Sequence, residues 1–470
     1  MIHARLAGVV VAAGLIGVAA LAYTPTLEFG YAQDSWPAVK ANPVVERGDL
    51  REVFTSDYWK GTGSFARTLY RPVAVASFAI ERRLSGEADP RLSHLINILL
   101  HGLTAWLFYR LSRVLGAAEP VAIAAAVLFV LHPLALHTVA NVVGRADTLA
   151  VLFSLVALRC LASPRRRLAA WGMAAAVWLA LGSKEIGAAV VPLLAVAEAI
   201  YRFPRGDARD AWRDRLAVFG PTVAAVLLYL HLRTLAIGEF PGWQPLAIED
   251  NLLVGLSGLQ RVATTLAMAG RYALLSVAPV GLSPDYSGGV IQAETSLLAP
   301  LPLLGVALSA AGIALVALGI PRGGGAPGPT RRLCRFAAAL VVVPYLFVGN
   351  VLTLNAAGFA ERMVYFSSTG FCLLVAIAAG AAIARLAAGR VRVTRAAWVA
   401  VVVVCASLEL VQLRRHLPMW EDNRALFDYT ARVAPRSLRA ALQVAGRHEA
   451  EGRPDEALEI YRRIETFAPD

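Results

Sequence analysis

From residue 6 to residue 414 the chain is a succession of apolar runs separated by short polar breaks. A helix rises 1.5 Å per residue and a bilayer core is about 30 Å thick, so roughly 20 apolar residues span it. Runs at 6–23, 93–111, 120–137, 147–163, 168–182, 186–201, 216–235, 298–320, 336–354, 363–384 and 396–414 are predicted to cross. The shorter ones are tolerable where the bilayer thins or neighbouring helices cover their ends. A further stretch, 258–280, is broken by Gly270 and Arg271 and closed by Pro279. It is predicted to enter and return, or to lie in the interface, a path that survives only where protein or a water-filled cavity surrounds it.

Two polar segments interrupt the pattern. Residues 24–92 contain a long mixed-charge insert after the first run, and the composition turns polar and helical after residue 415. The expected organisation is a membrane domain over 1–415, with 24–92 as its first loop, and a helical segment over 416–470. In that segment Gly452, Ala457, Tyr461 and Pro469 stand at the small and aromatic positions of a tetratricopeptide helix pair. Pro435 and Pro469 are 34 residues apart (469 − 435), the period of that repeat. One repeat cannot bury its own face, so the segment is expected to dock on the rest of the chain, as a repeat or as a generic helical hairpin.

Charge orients the runs. The loops 110–119, 159–167, 202–215, 321–335 and 385–395 are rich in arginine and are expected to face the cytoplasm. Eleven crossings then put the N-terminus inside and the C-terminus outside. Were 258–280 to cross, the loop 321–335 would face outward against its charge. On this reading the +12 formal charge marks topology and not nucleic-acid binding. The run after Arg5 is long enough to span and is expected to be retained, although Ala20-Leu21-Ala22 resembles a signal cleavage site. The chain is 57% hydrophobic with mean hydropathy +0.57, against about 45–50% apolar for ordinary globular domains. Cys160, Cys334, Cys372 and Cys405 show no CxxC spacing, which predicts neither a disulfide framework nor a zinc site. The Ala-, Arg- and Gly-heavy composition leans toward a bacterial inner membrane.

The predicted outer face collects five polar constellations: Asp34 with Asn42 and Pro43; Tyr70-Arg71-Pro72; a long segment carrying His132, His137, Asn141, Arg145 and Asp147; Ser183-Lys184-Glu185; and Ala360-Glu361-Arg362. Ionisable groups at membrane depth cost about 2.5–3.5 kcal/mol each on insertion scales, and usually line a cavity or a substrate path. Each also has a plainer reading. Asp34 reads as a catalytic acid at the bilayer rim or as a solvated loop acid. Arg145–Asp147 and Glu361–Arg362 read as site groups or as structural pairs, and Lys184–Glu185 as site groups or an interfacial pair. His132 before Pro133 reads as a helix cap, and Asp285-Tyr286-Ser287 as a turn.

Taken in order, these motifs resemble the transmembrane-and-tetratricopeptide O-mannosyltransferases of the type-C glycosyltransferase superfamily and their bacterial relatives. The resemblance runs from the first helix to the terminal segment. It rests on Asp34, Val39, Asn42 and Pro43; Tyr70-Arg71-Pro72; His132-Pro133 followed by Gly144 to Asp147; Ser183-Lys184-Glu185; Asp285-Tyr286-Ser287; Glu361-Arg362 with Tyr365, Gly370 and Phe371; and Trp420, Asp422 and Asn423. Two positions depart from the family pattern: Ser35 replaces the second acid of the first-loop pair, and His137 replaces an acid within the His-Pro motif. The terminal repeat is also short.

The resemblance implies an all-α polytopic bundle of about eleven transmembrane helices. It implies a polyprenyl-phosphate-linked sugar donor, a protein or glycan acceptor, contact with membrane lipid, and no metal or other cofactor. Asp34 would be the base that takes the acceptor proton. Arg362, with Arg71, Arg145 and Lys184 behind it, would hold the donor phosphate. Glu361, Asp147, Glu185, His132, His137, Asp285 and Tyr286 would support them. Three alternatives stay open: transfer to a lipid or glycan, an inactive scaffold of the same fold, and a transporter, against which no inverted repeat is visible.

Overall fold

The computed structural model describes residues 2–63, 69–201, 211–238, 246–318, 328–386 and 391–468; the side chains of 2–7, 211 and 391–394 fall outside that description. Pro469, Arg322, Arg390 and residues 202–210 of one arginine-rich loop lie outside the described residues, as does the side chain of Arg392.

Helix is the dominant structure of the described residues. In order the helices are α1 Ile2–Tyr23, α2 Pro43–Arg47, α3 Leu50–Thr55, α4 Pro72–Ser85, α5 Pro90–Val114, α6 Glu119–Leu131, α7 Leu136–Ala140, α8 Arg145–Leu161, α9 Arg166–Ser183, α10 Val190–Tyr201, α11 Ala211–Ile237, α12 Gly258–Val277, α13 Pro300–Ala317, α14 Pro329–Val348, α15 Tyr365–Leu386, α16 Val391–His416, α17 Asn423–Val433, α18 Leu438–Ala450 and α19 Pro454–Glu465. Single turns of tighter helix join several of them.

Among the described residues, six helical segments are long and apolar enough to cross a membrane: Gly8–Glu28, Pro90–Val114, Trp212–Ile237, Pro300–Ala317, Glu361–Leu386 and Arg395–Trp420. A seventh is the pair Glu119–Leu131 and Pro133–Ala140, bent by 51°. These match seven of the eleven expected crossings. The other four, 147–163, 168–182, 186–201 and 336–354, are also helical but do not pass by length, apolarity or charge. Of these, α8 turns Arg145, Asp147, Thr148 and Ser154 into the protein, where they are buried. Helices that face other helices need less apolar surface than helices that face lipid.

The expected break at Gly270 is corrected. Helix α12 runs unbroken through Gly270 and Arg271 and stops before Pro279. Gly270 serves a close helix crossing instead: a Cβ there would lie 2.4 Å from the Leu301 carbonyl oxygen, and one at Gly305 on α13 would lie 2.0 Å from that of Leu266. Small residues let two helix backbones approach this closely.

The first loop is itself folded. Asn42 caps α2, accepting from the backbone N–H of Val44 (2.9 Å) and Val45 (3.3 Å), with Pro43 at the first helical position. Tyr31, Val39, Val44, Val45, Val53 and Tyr58 form a small core with Val75 and Phe78 of α4.

Under that core lies a buried charge pair. Arg145 is 0% exposed; its Nη1 lies 2.6 Å from Glu81 Oε2, its Nε donates to Asn97 (2.9 Å), and its Nη2 donates to the Ser93 carbonyl (3.0 Å). Ser93 in turn donates to Glu81. Removing one partner of such a pair leaves an uncompensated buried charge. Glu81→Gln is therefore expected to destabilise the folded protein by about 2 kcal/mol, read as a lower unfolding midpoint in detergent. An unchanged midpoint would mean that the pair contributes nothing.

The terminal helices α18 and α19 pack on each other around Gly452, whose φ of 74° suits glycine at the turn. They are anchored through Asp285, which accepts from Ser437 Oγ (2.7 Å) and Arg439 Nη1 (3.0 Å).

Candidate active site

Each motif places its polar group at one end of a helix, where the chain turns. The break between α6 and α7 is made by His132-Pro133. His132 Nδ1 accepts from the Leu134 N–H (3.2 Å) and its Nε2 faces the Ser276 carbonyl at 3.0 Å, so this histidine braces the bend against α12. The chain then doubles back so tightly that a Cβ on Gly144 would sit 2.1 Å from the Thr138 carbonyl oxygen. That turn starts α8 with Asp147 in its first turn. Helix α9 ends at Ser183, and the extended backbone of Lys184 sends the next two side chains apart.

Three cations converge here. Lys184 Nζ lies 2.6 Å from Asp147 Oδ2. Arg71 forks onto Glu185, with Nη2–Oε2 at 2.7 Å and Nε 3.1 Å from both carboxylate oxygens. Arg362 Nη1 donates to His137 Nε2 at 2.7 Å. An imidazole that accepts at Nε2 carries its proton on Nδ1 and is neutral. The groups share one electrostatic neighbourhood. Burial lowers the Lys184 ammonium below its usual range; Asp147 pulls the other way, and the guanidiniums of Arg71 and Arg362 add to the lowering.

The four candidate cations thus differ in what already neutralises them. Arg145 is fully enclosed and committed to Glu81, so it braces the loop from beneath and is not open to a ligand. Arg71 and Lys184 each hold a carboxylate. Among the described residues, the Arg362 guanidinium has only neutral His137 as a hydrogen-bond partner, and it lines a cleft together with Gln33, Asp285, Tyr286 and Phe359.

Asp34 is exposed, and among the described residues its carboxylate makes no ion pair. Its neighbours fix its place. Gln33 before it holds a left-handed φ of 51°, rare for a residue with a side chain. Ser35 after it is buried, donates to Asn141 Oδ1 (2.6 Å) and receives the Val143 N–H (3.4 Å). Ser35 therefore ties the first loop to the segment that begins at His132-Pro133. Asp34 and Arg71 both act on the buried Tyr58 hydroxyl; burial raises its pKa, with Arg71 opposing and Asp34 adding to the rise. The Arg71 guanidinium sits 5.3 Å from the Tyr58 ring centre.

Glu361 is buried and accepts from Tyr286 Oη (2.7 Å) and the Ser283 N–H (2.8 Å), which fixes the backbone one residue before Arg362. Tyr58, Glu81 and Asn97 escaped the motif reading. One signal for Asn97 was present: Ser93, Asn97, His101 and Thr104 recur at helical spacing in an otherwise apolar run, and all four are buried.

The chain was compared with known proteins. No family model matches it, and no solved structure matches it. A protein O-mannosyl-transferase of Caenorhabditis elegans is 26% identical over 372 residues, covering 77% of this chain and 50% of the relative. The mouse protein O-mannosyl-transferase TMTC3 is 25% identical over 486 residues, covering 97% of this chain and 51% of the relative. The human protein O-mannosyl-transferase TMTC1 is 38% identical over a shorter 152 residues, 31% of this chain and 17% of the relative. The chain spans about half the length of the nematode and mouse relatives. The ordered motifs and these matches agree: the chain is related in sequence to the transmembrane-and-tetratricopeptide protein O-mannosyl-transferases.

Proposed function

We propose that this protein is a membrane glycosyltransferase that moves a sugar, mannose or a similar hexose, from a polyprenyl-phosphate donor to a hydroxyl of a protein acceptor at the external face. The observation that carries the reading is an arginine that forms no ion pair among the described residues, in a cleft shared with the residue before Asp34. A guanidinium with no ion pair among the described residues, in a cleft also lined by the residue before the exposed Asp34, suits a reaction that builds negative charge on a leaving phosphate while it removes a proton from an alcohol.

The acceptor oxygen attacks the anomeric carbon from the face opposite the phosphate, and Asp34 takes its proton. The bond between the anomeric carbon and the phosphate oxygen breaks, and its electron pair leaves with the polyprenyl phosphate. Arg362 faces that growing charge and offers two parallel N–H donors to it. Arg71 and Lys184 are each balanced by a carboxylate, Glu185 and Asp147, so the charge that meets the phosphate comes from Arg362. Attack from the opposite face inverts the anomeric configuration.

The test uses membranes containing the full chain, a radiolabelled lipid-linked mannose and the endogenous membrane proteins. Label is expected on protein, with the anomeric configuration inverted, and absent from membranes without the chain. Label that stays on the donor would refute the enzyme, and label appearing in glycolipid alone would refute the protein acceptor.

A further inference from the structure

The turn Leu417–Trp420 and the start of α17 join the terminal helical segment to the rest of the chain. Their contacts reach both halves of the site. The Gly30 N–H donates to the Glu421 carbonyl at 2.9 Å. The Gln33 N–H donates to Asn423 Oδ1 at 2.6 Å, at the residue whose backbone is left-handed. Trp420, fully buried, lies with its ring centre 4.4 Å from that of His137, and His137 holds Arg362. Asp422 is occupied in capping α17 through the Ala425 N–H (2.7 Å), which leaves the exposed Asn423 side chain free to reach the loop.

We propose that Asn423 and Trp420 are positioning residues. They form a clamp that sets the spacing between Asp34 and Arg362 and makes it depend on the docking of the terminal segment. The inference rests on the transferase reading above for its effect on rate, but not for its effect on the loop. A left-handed conformation costs a non-glycine residue roughly 1–2 kcal/mol and persists only where surroundings hold it. The Asn423 amide oxygen is what holds Gln33. Released, Gln33 relaxes toward the ordinary backbone region and the next residue, Asp34, turns with it. A purely structural role for the turn would predict a loss of fold or of donor affinity and no selective loss of turnover.

The test substitutes Asn423, because it is exposed and its loss does not open the core, whereas Trp420 is buried. Asn423→Ala and Asn423→Asp are compared in the full-length protein, the latter keeping an acceptor oxygen at the same place. Two quantities are read: backbone hydrogen exchange over residues 30–36, and steady-state transfer from lipid-linked mannose. Asn423→Ala is expected to speed exchange in that segment at least about tenfold. It is expected to lower kcat by about ten- to a hundredfold, the scale of a displaced catalytic group, with the donor KM within about twofold. Asn423→Asp is expected to restore both. Unchanged exchange in Asn423→Ala overturns the clamp, whatever the enzyme does. Faster exchange with unchanged kcat overturns its link to turnover. A wild-type protein that transfers no sugar refutes the transferase reading, while the exchange data still decide whether the clamp exists.

Discussion

Replacing Asp34 by Asn is expected to lower the transfer rate by about 10²–10⁴-fold while leaving the fold intact. The range is that of a lost general base. Asn copies the shape of Asp but cannot take a proton at any working pH, so the acceptor hydroxyl would attack undeprotonated. Stability is expected to hold within about 0.5 kcal/mol, since surface changes away from packed or paired groups rarely do more. Asp34 is exposed and forms no ion pair among the described residues. Single-turnover transfer, with donor held above its KM, is the measurement. A rate within threefold of wild type would remove Asp34 from the chemistry and leave the loop acid solvated and idle.

Arg362→Ala carries the second large effect, a loss of about 10²–10³-fold in kcat, the cost of removing one preorganised charge-stabilising group. In the proposed reaction the donor is a phosphodiester with one negative charge, and the departing phosphate gains a second. A cation aimed at that oxygen therefore contributes more in the transition state than in the bound donor, so kcat falls further than KM rises. Arg362→Lys should recover part of the rate, because the ammonium restores charge but not two parallel N–H bonds. Arg145→Lys serves as the contrast: it disturbs the packing around Glu81, Asn97 and Ser93, so the loss shows in the unfolding midpoint. Equal kinetic signatures for the Arg362 and Arg145 variants would contradict the separation drawn between a ligand-facing cation and a buried brace.

Much of the helical layout was legible before any coordinates. The apolar runs of α1, α5, α11, α13, α15 and α16 are long enough to be read directly, and the Asn42-Pro43 cap needs only local chemistry. The 258–280 stretch misled because Gly270 reads alike as a helix breaker and as a small residue at a helix crossing. Only the neighbour, the Leu301 carbonyl on α13, separates the two. Two of the four remaining crossings, α8 and α10, are helices of 17 and 12 residues, too short to pass on length alone.

By itself the sequence determined that the chain is a set of apolar helices interrupted by a few charged turns, because helix formation and apolar burial depend on near neighbours. Which charge meets which was decided by the tertiary structure. Arg71 finds Glu185 across 114 residues, Lys184 finds Asp147 across 37, and Arg362 finds His137 across 225. Electrostatic pairing depends on distance in space, and chain spacing at these separations does not constrain it. For that reason Arg145 became a brace, Arg71 and Lys184 became partners of carboxylates, and Arg362 came to face a neutral histidine.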